Sequence, residues 1–231
     1  MRLLMISLVA STLGGCVDAN TDGALLITKN VAPGMGCTFT ADVLEPFLAM
    51  GTLDTRVGGP YILHPQLRSR ITADITNPLN IDQRTVILQG ANISISFPNP
   101  PAGFTIDTTL LQFRQLFSAP IAPNGGLTDV SFLIIPSTIS RAVFPQLTAN
   151  VPTIVAVASV VVDGQMGGGT VTSQPFQFPV NLTTGLVIDN GTCPLPMTFG
   201  TIRAGDPCNP SQDGVVDCCR DAAGNLRCPA T

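Results

Sequence analysis

The chain has 231 residues, 45% of them hydrophobic and only 11% charged, with a formal net charge of −4. That apolar content can bury a sizeable core and excludes a disordered chain. The acidic balance, the absence of tryptophan and the single tyrosine argue against nucleic-acid binding, which needs a basic stripe with stacking partners. They also count against a glycan platform of stacked aromatics, although the phenylalanines keep that option open. Helix formers are thin, since Lys29 is the only lysine and Glu45 the only glutamate. With 22 Gly and 20 Pro among many Val, Ile and Thr residues, the composition predicts short strands joined by turns.

In chain order, residues 1–15 read as a secretory signal: Arg2, an apolar run over 3–9, then small residues. The run is too short for a transmembrane helix, which needs roughly 20 apolar residues. Its end, Leu13-Gly14-Gly15-Cys16, resembles the lipobox of bacterial lipoproteins. The resemblance implies cleavage before Cys16, a diacylglycerol on its sulfur and an acylated amine, hence a stable membrane anchor. The competing reading is a plain secretory signal cut elsewhere, for example after Ala10. Val17, not an acidic residue, follows the cysteine, which in that class points to the outer membrane. Residues 16–23 are small and polar and suit a short tether.

A first strand is predicted over 24–28, and a Pro-Gly turn over 31–36 leads into Cys37. Short strands follow within 47–54 and 61–64, separated by a break at 58–60. Residues 91–97 alternate Ala91, Ile93, Ile95 and Phe97 with Asn92, Ser94 and Ser96, as a strand with one wet face requires. A strand over 130–135 and a short helix over 137–147, limited by Pro145, come next. The run 153–162 reads as a central strand buried on both faces, and the glycines at 164 and 167–169 as a flexible hairpin tip. Residues 176–182 alternate Phe176, Phe178, Val180 and Leu182 on one face. Pro175 and Pro179 predict that this strand lies at a sheet edge or is interrupted. The expected fold is all-β: a two-sheet antiparallel sandwich of Ig-like or Greek-key type over 24–195, with one short helix. A disulfide-stapled tail over 196–231 would complete it.

Six cysteines besides Cys16 remain in a chain read as exported: Cys37, Cys193, Cys208, Cys218, Cys219 and Cys228. Disulfides are the default there. Cys37 and Cys193 flank the sandwich and are expected to pair, leaving four to pair within the tail. A bond between adjacent Cys218 and Cys219 would be strained, so each should reach Cys208 or Cys228. Zinc is disfavoured, because no Cys-x2-Cys spacing occurs.

The tail also places Asn209, Ser211, Asp213, Val215 and Asp217 at alternate positions with Gly214 between, which resembles the first half of a calcium loop. Arg220 stands where the bidentate acid would belong. A solvated Asp-Gly turn is the simpler reading. His64, the sole histidine, would have to serve any Ser-His-Asp hydrolase, yet no Gly-x-Ser-x-Gly elbow is present. Asp54, Asp74, Asp82 and Asp107 have no spacing that places two of them on one glycosidase site. The glycine-rich stretch 164–170 lacks the lysine of a phosphate loop.

Residues 51–54, 76–77 leading into 89–91, 171–180 and the tail around Cys208, Asp213, Asp217 and Cys218 together resemble a group of bacterial cell-surface lipoproteins. That resemblance implies an exported sandwich and supplies no activity. The expected function is therefore that of a lipid-anchored, non-enzymatic protein at the outer membrane or cell surface. It would bind an envelope protein or glycan, or support the envelope. The alternatives are a surface hydrolase acting on polysaccharide or ester, and a calcium-binding adhesion module acting through the tail. No catalytic residue and no cofactor other than that calcium ion is expected.

Overall fold

The structure is a computed structural model describing residues 22–40, 42–72, 85–194 and 203–228. The signal segment, Cys16, Asp74, Asp82 and residues 76–77 lie outside the described residues. The fold is mostly β. β1 (Asp22–Val31), β2 (Phe47–Leu48), β3 (Gly51–Asp54), β4 (Tyr61–Leu63) and β5 (Pro65–Ser69) come first. β6 (Val86–Ser96), β7 (Gln112–Ile121), β8 (Leu127–Asp129) and β9 (Phe132–Ile135) precede a single short helix, α1 (Ser137–Val143). β10 (Thr153–Met166), β11 (Gly169–Ser173), β12 (Phe176–Thr183) and β13 (Val187–Thr192) follow, and β14 (Val216–Arg220) and β15 (Leu226–Arg227) close the chain. No helix among the described residues is long and apolar enough to cross a membrane.

The longest strand organises the rest. β10 pairs β6 along one side, from Val157 opposite Ser96 to Gln165 opposite Ile87. Along its other side it pairs β12 from Thr153 to Val160, then β11 from Asp163 to Met166. Gly167 and Gly168 both take positive φ, 56° and 86°, as the tight turn joining β10 to β11 demands. Between β11 and β12 the chain changes branch. There Val162, paired with Ala91 of β6 but with no strand partner on the β11–β12 side, donates its N–H to Ser173 Oγ at 2.9 Å.

Ten strands thus form one hydrogen-bonded network instead of two separate antiparallel sheets, because β10 serves both branches. Two of its ladders are parallel, β1 with β11 and β3 with β12. β4 and β9 form a separate antiparallel pair. One core fills the space between: Leu25, Leu53, Tyr61, Leu88, Val160 and Phe178 are all buried.

Two strand expectations are corrected. The 153–162 run is central in its pairing but not buried on both faces. Ile154, Ala156, Ala158 and Val160 point inward, whereas Val155 is 39% exposed. A run of β-branched residues hides the period-2 signal that polar residues make visible in β6. β12 is not an edge strand over its whole length, since β3 covers Val180 to Thr183. Only its proline-flanked half, 176–179, lacks a second neighbour among the described strands, and there the missing Pro179 N–H costs no ladder bond on that side.

The tail does not stand apart. β13 pairs β14 in parallel and β14 pairs β15, around a small cluster of Val187, Val216 and Cys218. The expected Cys37–Cys193 bond does not form. The disulfides are Cys37–Cys208, Cys193–Cys219 and Cys218–Cys228. Just past the β13–β14 ladder the Cys193 N–H donates to the Arg220 carbonyl at 2.9 Å, and its Cα lies 4.9 Å from that of Cys219. Cys218 and Cys219, adjacent on a strand, face opposite ways and so take different partners.

Candidate functional site

A groove of about 630 Å³ is bordered by β1, the 43–49 segment and β12. Thr28, Lys29 and Asn30 line one wall, and Phe176, Gln177 and Phe178 another. The segment between β1 and β3 presents Val43, Leu44 and Phe47 to solvent, 66%, 86% and 63% exposed. Large exposed side chains of this kind, gathered beside a groove, mark an interaction surface.

This crest is an ordered loop. The Lys29 ammonium donates to the carbonyls of Asp42, Val43 and Glu45 at 3.1, 3.0 and 2.8 Å. Ammonium has three protons, and each has an acceptor. Ala32 N–H donates to the Pro46 carbonyl, and Gln66 Nε2 to that of Asp42. The Cys37–Cys208 bond ties the same loop to the tail. Sequence reasoning missed this site. Its apolar residues lie in a connection and show no periodicity, although the lone lysine at the end of β1 was a visible signal.

His64 lies behind the groove wall, buried, with its ring stacked on Phe39 at 3.9 Å. Its backbone N–H donates to Asn30 Oδ1, and Nδ1 lies 2.7 Å from Ser131 Oγ, whose residue is exposed. Nε2 is buried and has no hydrogen-bond partner among the described residues. Burial pushes the imidazole down to about 4, so the ring is neutral at physiological pH. A serine beside a neutral histidine has half of the chemistry of an acyl-transfer site. Among the described residues no carboxylate hydrogen-bonds the far nitrogen.

The residues read as a calcium loop are drawn to separate protein partners. Asp213 Oδ1 accepts from Thr52 N–H at 2.6 Å and Oδ2 from Tyr61 Oη at 2.5 Å. Asp217 takes the backbone and guanidinium N–H groups of Arg203, at 2.7–3.0 Å, together with Asn190 Nδ2 at 3.2 Å. Asn209 and Ser211 do meet, the Ser211 hydroxyl donating to Asn209 Oδ1 at 3.0 Å. Val215 is exposed. No cluster of three or more His, Cys, Asp or Glu side chains suited to a metal occurs among the described residues.

These loop residues instead clamp the tail to β3 and β4. Asn209 Nδ2 donates to the Pro60 carbonyl, and the Gln212 side chain brackets Ile62, accepting from its N–H and donating to its carbonyl. The Tyr61 ring lies against Gly51, where a Cβ would come within 2.4 Å of it, so only glycine lets the phenol reach Asp213. Burial raises Asp213 to about 6, with Asp206 nearby adding to the rise, and burial also raises Asp206. Asp54, one of the carboxylates considered for hydrolysis, is buried and accepts from Arg56 and from Leu186 and Val187 N–H. Asp107 caps the turn before β7, accepting from Thr109. The two are not brought together by any shared partner.

No family model and no curated protein matches this sequence. Among solved structures, a protein from Archaeoglobus fulgidus shares 13% identity over 54% of this chain and 86% of that one, with a TM-score of 0.35. A likeness that slight carries neither fold nor function. Three disulfides do point to an oxidising compartment.

Proposed function

We propose that the protein is an exported lipoprotein, anchored through acyl groups on Cys16 at the outer membrane or cell surface, that binds an envelope partner through the β1–β12 groove and does no chemistry. The divergence of the network at β11 and β12 is read as the seam of a two-layer sandwich, and the groove lies at that seam. The observation that carries the binding reading is the exposed crest of Val43, Leu44 and Phe47, fixed over the groove by Lys29. A loop with no task would not be held so firmly while showing its apolar side chains to water. β1 begins at Asp22 and the groove is lined by Thr28 to Asn30, roughly 20–26 Å along the strand. An anchor before β1 would therefore turn the groove away from its own membrane.

The double variant Leu44→Ser with Phe47→Ser is the test. Both residues are exposed, so the thermal midpoint should stay within about 2 °C of the parent. Capture of the partner from the native envelope, quantified by mass spectrometry, should fall to background. Unchanged capture would remove the groove from the reading. Mass analysis of Cys16, with release of Cys16→Ser into the soluble fraction, tests the anchor separately.

The Ser131–His64 contact supports a second reading, a surface esterase. Stoichiometric labelling of Ser131 by an alkyl fluorophosphonate, abolished in His64→Gln, would favour it over binding alone.

A further inference from the structure

We propose that the open edge of β1, from Leu26 to Lys29, takes up an extended peptide segment of a partner protein as an added strand, the segment carrying alternate apolar side chains and a cationic one. This rests on the binding reading above and names the partner's chemistry.

β5 runs along one side of β1 from Leu25 to Asn30. On the other side β11 pairs β1 only at Asp22 and Leu25, and β2 pairs it only at Asn30 and Val31. Leu25 and Asn30 each have partners on both sides, so β11 and β2 share one edge and leave a gap between them. No strand among the described residues fills that gap. Its cause is the change of branch: β11 leaves β1 at Gln174–Pro175 to continue beside β10 as β12.

β12 has the complementary vacancy, since β3 starts pairing it only at Val180. Thr28 and Lys29 from one edge and Phe176 to Phe178 from the other line the same groove. Two incomplete strand edges therefore border one cavity. Pro175 and Pro179 remove N–H donors at both ends of the β12 stretch, which leaves β1 as the better template.

An unpaired edge offers backbone donors and acceptors at strand spacing, and an extended peptide answers them where a helix or a sugar does not. Four residues of β1 span roughly 13 Å, enough for a segment of about four to six residues. Alternate side chains of that segment would meet Phe47, Leu48 and Phe176, which favours apolar ones.

Charge selects further. Lys29 spends its ammonium on three carbonyls of the loop, and it is the only cation among the lining residues. Glu45 is the one carboxylate among the lining residues, so the complementary partner bears lysine or arginine. A lysine on an edge strand ordinarily wards off other strands, but this one is turned into the loop. A second copy of the chain is a poorer fit. Its own open edge is set between β11 and β2, and docking would bring Glu45 of both copies together.

The test uses the mature, oxidised full-length protein and fluorescently labelled hexapeptides alternating Val or Phe with Lys, read by anisotropy. Binding should weaken at least about tenfold when Glu replaces Lys. Methylating alternate backbone nitrogens in one register should also weaken it at least about tenfold, and in the other register leave it unchanged, because only one set of N–H groups faces β1. Amide exchange should slow at Leu26 to Lys29 in the complex. Equal binding by both methylated registers, protection elsewhere, or dimerisation without peptide would overturn strand addition. A photo-crosslinking residue at position 44, used in the native envelope, separates the two readings. If no peptide binds yet position 44 crosslinks to one partner, strand addition fails and the groove stands; if neither occurs, both fall.

Discussion

The main sheet and the tail are built on different economies. The ten-stranded network buries Leu, Ile, Val and Phe from nearly every strand and contains none of the disulfides within its own ladders. The three-stranded tail sheet buries little more than Val187, Val216 and Cys218, yet both of its local disulfides cross it. Apolar burial and covalent staples thus substitute for one another along one chain, as expected where a segment is too poor in hydrophobic residues to fold by itself. The seam between the regions is polar: Tyr61, Asn209, Gln212 and Asp213 hold it by hydrogen bonds to named backbone and side-chain groups. The groove lies on the body side, while the loop above it is tethered to the tail through Cys37–Cys208. Stability of the tail and shape of the groove are therefore linked.

The sharpest way to break that contrast is to remove staples one at a time. Cys37→Ser with Cys208→Ser opens a loop of 171 residues, worth about 5 kcal/mol in the chain-entropy model; Cys218→Ser with Cys228→Ser opens one of 10, worth about 3 kcal/mol. Urea unfolding should rank them in that order. Hydrogen exchange should show the first freeing the 32–46 loop and the second confined to β14 and β15. Uniform loss of protection across the main sheet in the second variant would show that the two regions fold as one unit.

The next effect is at the seam. Tyr61→Phe keeps the ring against Gly51 and Phe178 but strips Asp213 of one of its two donors. A buried carboxylate losing a charge-assisted hydrogen bond should cost about 1–3 kcal/mol, read as a fall in the thermal midpoint. The Asp213 carboxyl should rise further above about 6, read by NMR titration.

The sequence revealed the parts of the fold that carry a local signal. Residues 91–97 announced β6 because polar and apolar residues alternate there, and 163–169 announced the β10–β11 hairpin through its glycines. The tail's need for staples followed from its composition. Pairing was another matter. Nothing near Cys193 reveals that β13 runs parallel to β14, the pairing that carries Cys193 to the neighbourhood of Cys219. The groove was illegible for a related reason: it exists where β11 stops following β1, a property of two strands 150 residues apart in sequence. Asp213 and Asp217 turn to Tyr61 and Arg203, partners that spacing in the sequence cannot reveal.

The smallest effect sharpens the comparison most, because one buried group in the body and one at the seam respond to acid with opposite sign. His64, in the body, is neutral when folded, with its value lowered from 6.5 to about 4. Its contribution to stability is present above pH 6.5 and is lost as the pH falls through about 4. Asp213, in the seam, is raised from 3.8 to about 6 and favours the protonated form when folded. Its contribution is complete below pH 3.8 and is lost as the pH rises through about 6, and Asp206 acts in the same direction. Between pH 4 and 6 the two slopes oppose each other, each limited to about 1.4 kcal/mol per pH unit per proton. Asp213→Asn should leave the His64 slope exposed, so that stability relative to the parent falls as the pH drops from 6 to 4. His64→Gln, which keeps a hydrogen-bonding partner for Ser131, should do the reverse. Urea titrations at half-unit steps of pH read both differences; parallel curves for parent and variants would mean that neither group is held away from its ordinary value by the fold.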